Sequence, residues 1–303
     1  GQTVNELVES YLTRRVAGKR SVDEIARRLR VNVSGVIGDV KLASLHRRDL
    51  TRCIDKIVDR GAGTEANRVF QDVRAMIRWA RGRGDLDENL VEGMRPPTET
   101  APRDRVLSDD EVKAFWRALP DADMRESTRR ILRLCLVTAQ RVGEVAGMTR
   151  DELDLDNATW TIPPERVKNK REHMVPLSPM AVQIIRDQIA DVKALSERKG
   201  RKVPTWIFPG PGARGAVTGA AVAKAILRSE WCIEHFTAHD LRRTAATAME
   251  RLGVNPFDVG LVLNHVSTTA PSVTRRVYAR HDYASEKRDA LESYAGFLLT
   301  LTD

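Results

Sequence analysis

The sequence predicts a mostly α-helical protein with one small antiparallel β-sheet, made of a helical N-terminal domain and an α+β domain. Three observations predict this class. Apolar residues recur at helical spacing through most of the chain, residues 159–162 alternate as a strand does, and a polar, proline-rich stretch separates two such regions. We therefore expect a helical domain over 1–95, a linker over 96–105 and the α+β domain over 106–303.

Length and charge narrow the function. The chain has 303 residues, 42% of them hydrophobic, which suffices for two buried cores. Lysine and arginine outnumber aspartate and glutamate by 50 to 42, giving a net charge of +8. This excess favours a polyanionic partner, first of all nucleic acid, although a solvated basic surface or an anionic membrane surface would also account for it.

The three cysteines are far apart and form no paired motif. We therefore expect reduced thiols in a cytosolic protein, and we expect neither zinc nor any other cofactor. The sequence contains no apolar run long enough to span a bilayer and no recognisable signal peptide, so no membrane partner is expected.

Capping residues mark the first helices of the chain. Ser21 and Glu24 have the spacing of a capping box ahead of a short apolar run. Asp49 or Thr51 can cap a further helix, which Gly61 ends.

The clearest N-terminal helix runs from about residue 65 to 83. Its apolar positions recur at helical spacing and predict a buried face. These positions are Ala66, Val69, Phe70, Val73, Met76, Ile77 and Ala80. Arg74, Arg78 and Arg81 form a basic edge beside that face, which is either a solvated surface or a row of phosphate contacts.

The second domain opens with another capping box, Ser108 and Glu111. An apolar helix follows around residues 131–137, and Gly143 marks an expected change of direction before the next helix. Residues 159–162 and 174–177 are predicted to pair as antiparallel strands, joined by a charged connection. A helix over 180–197 and further helices to the C-terminus complete this domain.

A tyrosine that attacks phosphate needs help from its neighbours. Its reference pKa is about 10, so the phenol must lose its proton to a nearby base or be stabilised by cations. Guanidinium groups suit a phosphodiester because their planar donors match two phosphate oxygens. Arg141 follows an apolar helix, and His239 and Arg242 are three residues apart on one helical face. Taken singly, each candidate could equally be a capping, packing or surface residue.

The order of these residues is more specific than any one of them. The ordered set is Arg141 in TAQRVGEV, Lys168 ahead of HMVPL, His239-x-x-Arg242, Leu263-Asn264-His265 and Tyr278. This set resembles the tyrosine recombinase (phage integrase) family. The N-terminal segments EANRV, IRWA and DEN resemble the core-binding domain of integrases related to that of phage P4, so the resemblance covers nearly the whole chain.

The resemblance implies a phosphate-binding site. Arg141 and Arg242 would hold the scissile phosphate of DNA, and His239 would orient it and assist proton transfer. His265 would donate a hydrogen bond to the same phosphate.

The resemblance also assigns the reacting groups. Tyr278 would attack to form a 3′-phosphotyrosine link, with Tyr283 as the rival nucleophile. Lys168 would protonate the departing 5′-oxygen, with Lys170 as its rival two residues away. Glu144 would support the site without reacting.

Two positions depart from the family pattern. Ala139 and Asn264 stand where the family usually has glycine. Because both are small or tolerate left-handed geometry, we expect local backbone adjustment and retained activity.

The resemblance implies a bacterial enzyme, cytoplasmic and nucleoid-associated, that integrates or excises a mobile element or prophage. Its expected partners are double-stranded DNA with core-type sites, three further copies of the chain in a tetramer, and accessory DNA-bending proteins. The apolar helix over 284–301 could dock on a neighbouring copy or on its own domain. An arm-binding N-terminal domain has no room ahead of Val4, which suggests that the chain is part of a longer protein.

Three alternatives compete with this hypothesis. A type IB topoisomerase shares the phosphotyrosine chemistry, and a DNA-binding protein of the same fold would lack cleavage. A metal phosphohydrolase built on His239-Asp240 and His281-Asp282 is the third, although no further ligands have suitable spacing.

Overall fold

The computed structural model describes residues 1–19, 21–99, 104–265 and 283–302. The chain divides into two compact units, Gly1–Arg103 and Asp104–Asp303, each with its own hydrophobic core. The fold is mostly helical with a three-stranded antiparallel sheet, which confirms the predicted class. Across the described ranges, no helix is both long and apolar enough to cross a membrane.

The secondary-structure elements in the described part of the N-terminal unit are all helical, apart from an isolated β-bridge between Thr3 and Lys41. Its helices are α1 (Val4–Tyr11), α2 (Val22–Leu29), α3 (Gly35–Ile37), α4 (Arg47–Asp59) and α5 (Gly63–Gly82), with π-helical turns at Leu12–Val16 and Arg30–Ser34 and a 3₁₀ turn at Leu42–Ser44. All seven predicted apolar positions of α5 are buried, so this helix forms one wall of the core.

Two capping predictions had different outcomes in this unit. Ser21 precedes α2, but its side chain caps no backbone group, so the predicted capping box is wrong. Glu24 instead lies 3.4 Å from the guanidinium of Arg27 on the helix surface. Asp49 does cap α4, because its carboxylate accepts a 3.0 Å hydrogen bond from the backbone N–H of His46.

The C-terminal unit combines helices with the small sheet. Its elements are α6 (Asp109–Ala118), α7 (Glu126–Thr138), α8 (Val142–Ala146), β1 (Leu153–Asp154), β2 (Thr159–Ile162), β3 (His173–Pro176), α9 (Pro179–Arg198), α10 (Gly219–Arg228), α11 (Ala238–Arg251), α12 (Pro256–Val262) and α13 (Ala284–Thr302). β2 pairs antiparallel with β3, with Trp160 opposite Val175, as the alternating pattern predicts. β1 was not predicted because two residues are too few to show alternation.

Helix α7 is central to this unit and leads directly to the candidate site. Six of its side chains are fully or almost fully buried apolar residues, and it packs against α8, α9, α11 and α13.

Helix α13 packs on its own unit, against α6, α7, α11, α12 and β3. In the single chain the helix thus packs on its own domain, and docking on a neighbouring copy stays a prediction.

Candidate active site

Arg141 lies in the turn between α7 and α8. α7 ends at Thr138, and Ala139 then adopts a left-handed conformation with φ of 56°. The change of direction therefore occurs before α8, and Gly143 lies inside that helix, which corrects the predicted position of the turn. The left-handed Ala139 occupies one of the two positions where the sequence departs from the family's glycine, and it shows the expected backbone adjustment.

Glu144 holds Arg141 in place. The carboxylate of Glu144 accepts a 3.0 Å hydrogen bond from Nη1 of Arg141 and a 3.1 Å hydrogen bond from its backbone N–H. Glu144 is buried, whereas about a third of the Arg141 side chain remains exposed (31%). Glu144 therefore fixes the direction of a guanidinium that can still bind a ligand.

Arg242 is the second guanidinium of the site, and it is almost fully buried. Its Nη1 donates a 2.7 Å hydrogen bond to the carbonyl of Ala139, and its Nη2 donates to the carbonyl of Leu263. Burial, followed by repulsion from Arg141, lowers the pKa of Arg242 to about 10. The fold therefore holds two nearby cations against their mutual repulsion, an arrangement that an anion would relieve.

The two predicted histidines belong to the same electrostatic cluster. His239 lies in the first turn of α11, one turn before Arg242, and His265 follows α12. Loss of water around each ring lowers the pKa of both histidines, and the nearby cations lower it further; Arg242 contributes in both cases. Both rings are therefore neutral near pH 7, so each can accept or donate one hydrogen bond.

The C-terminal end of α12 fixes the backbone position of His265. Asn264 adopts a left-handed conformation with φ of 48°, and the His265 N–H donates to the carbonyl of Gly260 at 2.9 Å. The Asn264 N–H donates to the carbonyl of Leu261. These two bonds form a Schellman motif, in which asparagine replaces the usual glycine at the left-handed position.

Two buried polar residues that the sequence did not single out hold this helix end. Nε2 of Gln140 donates to the carbonyls of Val262 and Thr138 at 2.9 and 2.8 Å. Nε2 of His173 lies 3.2 Å from the same Val262 carbonyl and donates to it. Gln140 thus joins the turn that carries Arg141 to the helix that precedes His265. Its position next to Arg141, directly after an apolar helix, was the available signal.

The lowered pKa of buried His173 predicts how the free energy of unfolding depends on pH. Burial, followed by repulsion from Lys287, lowers its pKa from 6.5 to about 3. Between these values the unfolded chain binds the proton that the folded chain excludes, so stability falls as pH falls below 6.5. We expect this residue to remove about 2 kcal/mol between about pH 7.5 and about pH 5.

The measurement is urea unfolding at both pH values. His173→Gln keeps an amide donor for Val262 but cannot titrate, so we expect it to lose about 2 kcal/mol less than the wild type over this range. Equal losses in the two proteins would contradict the low pKa of His173. Other groups titrate alike in both proteins and cancel in the difference.

Lys168 lies in the connection between β2 and β3, where the sequence placed it. Its side chain is exposed, and the preceding Val167 is buried. Nδ2 of the following Asn169 donates a 2.6 Å hydrogen bond to Oδ1 of Asn264. This connection is therefore tied to the residue immediately before His265. Lys170, the rival, is also exposed and has a φ of 54°.

Tyr278 lies outside the described residues, whereas its rival Tyr283 is described. The ring of Tyr283 packs edge-to-face on Phe257, with centroids 5.5 Å apart. Phe257 lies in the first turn of α12, and this seven-residue helix is roughly 10 Å long. His265 lies beyond the other end, so Tyr283 is remote from the cationic cluster in this structure.

In the metal phosphohydrolase alternative, one of the proposed ligands, Asp240, caps a helix. A carboxylate oxygen of Asp240 accepts hydrogen bonds from the backbone N–H and the hydroxyl of Thr237, at 2.8 and 2.9 Å. Asp240 therefore serves the start of α11, next to His239. His281 and Asp282, the other predicted pair, lie outside the described residues.

The three arginines of the predicted DNA-binding edge differ in exposure. Arg78 and Arg81 are exposed on α5. The guanidinium of Arg74 lies 5.4 Å from the ring centroid of Phe70, and this side chain is partly buried. Arg78 and Arg81 are therefore more accessible to a ligand than Arg74.

Comparison with known proteins identifies the class to which this fold and site belong. The model of the phage integrase family matches residues 105–285, and the model of the phage integrase central domain matches residues 3–96. The chain belongs to the phage integrase family, as its resemblance to tyrosine recombinases implied.

Individual relatives are similar over most of this chain. Prophage integrase IntA of Escherichia coli K12 is 27% identical over 278 residues, which are 90% of this chain and 64% of IntA. The integrase of Enterobacteria phage P4 is 25% identical over 90% of this chain and 64% of its own length. Tyrosine recombinase XerC of Xylella fastidiosa M23 is 25% identical over 84% of this chain and 83% of its own. The chain thus spans just under two thirds of the two integrases.

Solved structures share the fold. A lambda integrase dimer bound to a COC′ core site has a TM-score of 0.67 at 17% identity, over 88% of this chain and 97% of that one. The Tn1549 transposon integrase in complex with circular intermediate DNA has a TM-score of 0.64 at 16% identity, over 95% and 99%. A lambda integrase tetramer bound to a Holliday junction has a TM-score of 0.66 at 17% identity, over 89% and 76%.

Proposed function

We propose that this chain is a site-specific DNA recombinase that cleaves and rejoins DNA strands through a 3′-phosphotyrosine intermediate. The observation that carries the proposal is the pair of guanidiniums at Arg141 and Arg242. They lie close enough for Arg141 to lower the pKa of Arg242, with the neutral rings of His239 and His265 in the same cluster. A doubly coordinated phosphodiester is the ligand that best satisfies such a cluster.

The proposed cleavage is a transesterification. The phenol oxygen of Tyr278 forms a bond to phosphorus as the bond from phosphorus to the 5′-oxygen breaks. The phenol proton passes to neutral His239, and Lys168 supplies a proton to the departing 5′-oxygen. Arg141 and Arg242 stabilise the charge that grows on the phosphate.

Rejoining is the reverse reaction with a second 5′-hydroxyl. One phosphoester bond is exchanged for another in each step, so the energy of the broken bond is kept in the phosphotyrosine. The chemical balance therefore requires no nucleoside triphosphate. This reversibility suits exchange of strands between two DNA sites, as in integration or excision of a prophage or mobile element.

The partner we propose is double-stranded DNA with a core-type site. We assign core-site binding to residues 1–95, with Arg78 and Arg81 contacting phosphates, and catalysis to residues 106–303, with 96–105 as the linker. The DNA-bound state of the lambda and Tn1549 integrases supports this choice of partner. The lambda integrase tetramer on a Holliday junction supports assembly of four copies during strand exchange.

The proposal is tested by trapping the covalent intermediate. The chain is incubated with a library of nicked duplexes carrying candidate core sites, because a nick next to the cleavage point lets the departing strand diffuse away. We expect a denaturation-resistant protein–DNA adduct on a small subset of sequences. Absence of an adduct across a comprehensive library would contradict the proposal.

Two further readouts separate the alternatives. A recombinase exchanges strands between two copies of the selected site, whereas a topoisomerase-like enzyme relaxes supercoiled DNA that lacks the site at a comparable rate. A non-cleaving DNA-binding protein would retard the selected duplex in a gel without forming an adduct.

A further inference from the structure

Arg166 occupies a buried junction that the proposed mechanism does not use. It lies in the 3₁₀ turn Pro164–Arg166, between β2 and β3. Its Nη1 donates to a carboxylate oxygen of Glu152, and the same oxygen accepts a 2.9 Å hydrogen bond from Nε1 of Trp160. Glu152 is 8% exposed and Trp160 is fully buried. This carboxylate is therefore paired inside the protein.

The other half of the Arg166 guanidinium reaches α8. Its Nη2 donates to the backbone carbonyl of Glu144. The fit is close, because a Cβ on Gly147, at the end of α8, would lie only 2.9 Å from that nitrogen. Arg166 therefore holds the backbone of the residue whose carboxylate holds Arg141.

Arg166 is also tied to the general-acid candidate through the chain. Lys168 is two residues away, with only the buried Val167 between them. On the far side of Lys168, Asn169 is bonded to Asn264. The β2–β3 connection is thus bonded on both sides of the exposed Lys168. Arg166 bonds to α8 on one side, and Asn169 bonds to Asn264 on the other.

We propose that Arg166 is a positioning residue that sets Lys168 in register with Arg141, by fixing the β2–β3 connection to α8. The proposal rests on the proposed function, since it concerns the proton donor of the cleavage step. Without Arg166 the connection loses its bond to α8, and Lys168 samples positions from which it cannot protonate the 5′-oxygen. A displacement of about 1 Å in such a group can reduce the rate on the order of 100-fold.

The variant must remove the link without leaving a buried charge. Arg166→Met alone would leave the Glu152 carboxylate unpaired, so the main variant is Arg166→Met combined with Glu152→Gln. Glutamine keeps an oxygen for Nε1 of Trp160. The matched control is Arg130→Met, because Arg130 is similarly buried but bonds to Gln188 and Asp191 on α9 and to Glu126 on α7. Thermal unfolding of all variants measures the loss of stability.

The decisive readout compares two leaving groups. One substrate is an ordinary nicked duplex, and the other carries sulfur in place of the 5′-oxygen at the cleaved bond. A thiol has a pKa near 8.5 and leaves without a proton donor, so a defect confined to Lys168 disappears with sulfur. We expect the double variant to cleave the oxygen substrate on the order of 10- to 100-fold more slowly than the wild type, and the sulfur substrate at nearly the wild-type rate. Lys168→Met should show the same pattern, and Arg130→Met should not.

Two results would overturn the inference. One is a double variant that cleaves the oxygen substrate as fast as the wild type. The other is an equal slowing on both substrates, which would mean that Arg166 supports the fold or Arg141 and not Lys168. Failure of the proposed function is distinguishable, because the wild type would then form no adduct on either substrate.

Discussion

Replacing Tyr278 by phenylalanine will abolish the covalent protein–DNA adduct, because the benzene ring retains its volume but has no oxygen to bond to phosphorus. Adduct formation requires the nucleophile itself, whereas removal of a supporting group only slows it. The expected result is no adduct above background at the longest incubation, with binding of the core-site duplex unchanged. Denaturing gels and gel retardation measure the two quantities on the same samples.

The matched control is Tyr283→Phe. This change keeps the ring that packs on Phe257, and we expect it to form adduct at the wild-type rate. The reverse outcome, an adduct in Tyr278→Phe that is lost in Tyr283→Phe, would transfer the role to Tyr283. It would also require Tyr283 to leave its place at the opposite end of α12 from His265.

Arg242→Lys has the second largest expected effect, on both catalysis and folding. Arginine satisfies the carbonyls of Ala139 and Leu263 with two nitrogens of one plane, whereas lysine has one nitrogen and cannot span both. A buried carbonyl left without a donor costs about 1–3 kcal/mol. Loss of one preorganised donor to the transition-state phosphate costs roughly 3–4 kcal/mol, or about 100- to 1000-fold in rate. Single-turnover adduct formation and urea unfolding measure these two effects.

Arg251→Lys is the control on the same helix. Arg251 is exposed, pairs with Asp109 at 2.6 Å and lies over the ring of Phe297, and the helix separates it from the cationic cluster. We expect less than about 1 kcal/mol of destabilisation, as for surface ion pairs in general, and an unchanged cleavage rate. Near wild-type cleavage by Arg242→Lys would contradict the role of the Arg242 guanidinium as a preorganised donor to the phosphate.

Several elements could be predicted because their signals are local. The α5 core face, the Ser108–Glu111 capping box of α6 and the β2–β3 pair all follow from spacings of two to four residues, over which side chains on one element meet. The capping prediction for Ser21 is wrong because the Ser-x-x-Glu spacing allows a capping box but does not require one. Its backbone leaves the extended region, with ψ of 14°, so its hydroxyl does not cap the helix.

The site was predicted as a set of residues in order, but not as a structure. Order along the chain and family resemblance selected Arg141, His239, Arg242 and His265, whose mutual influence on pKa values indicates that the fold brings them together. The roles of these residues, and those of Lys168 and Tyr278, stay predictions. Of the groups that hold the set, Glu144 was predicted from the sequence, since it is three residues from Arg141. The contacts made by Gln140 and His173 came only from the structure, because they join residues that are far apart in sequence.

By itself, the sequence determined the helical class, the amphipathic faces and the candidate residues, since these depend on local spacing and side-chain chemistry. Only the tertiary structure decided how Arg242 and the helix end before His265 are held. Arg242 reaches carbonyls 103 and 21 residues away, and Gln140 reaches one 122 residues away. Such bonds form because a buried carbonyl has no water to bond to and must find a donor within the protein. No short stretch of sequence specifies which distant carbonyl will need that donor.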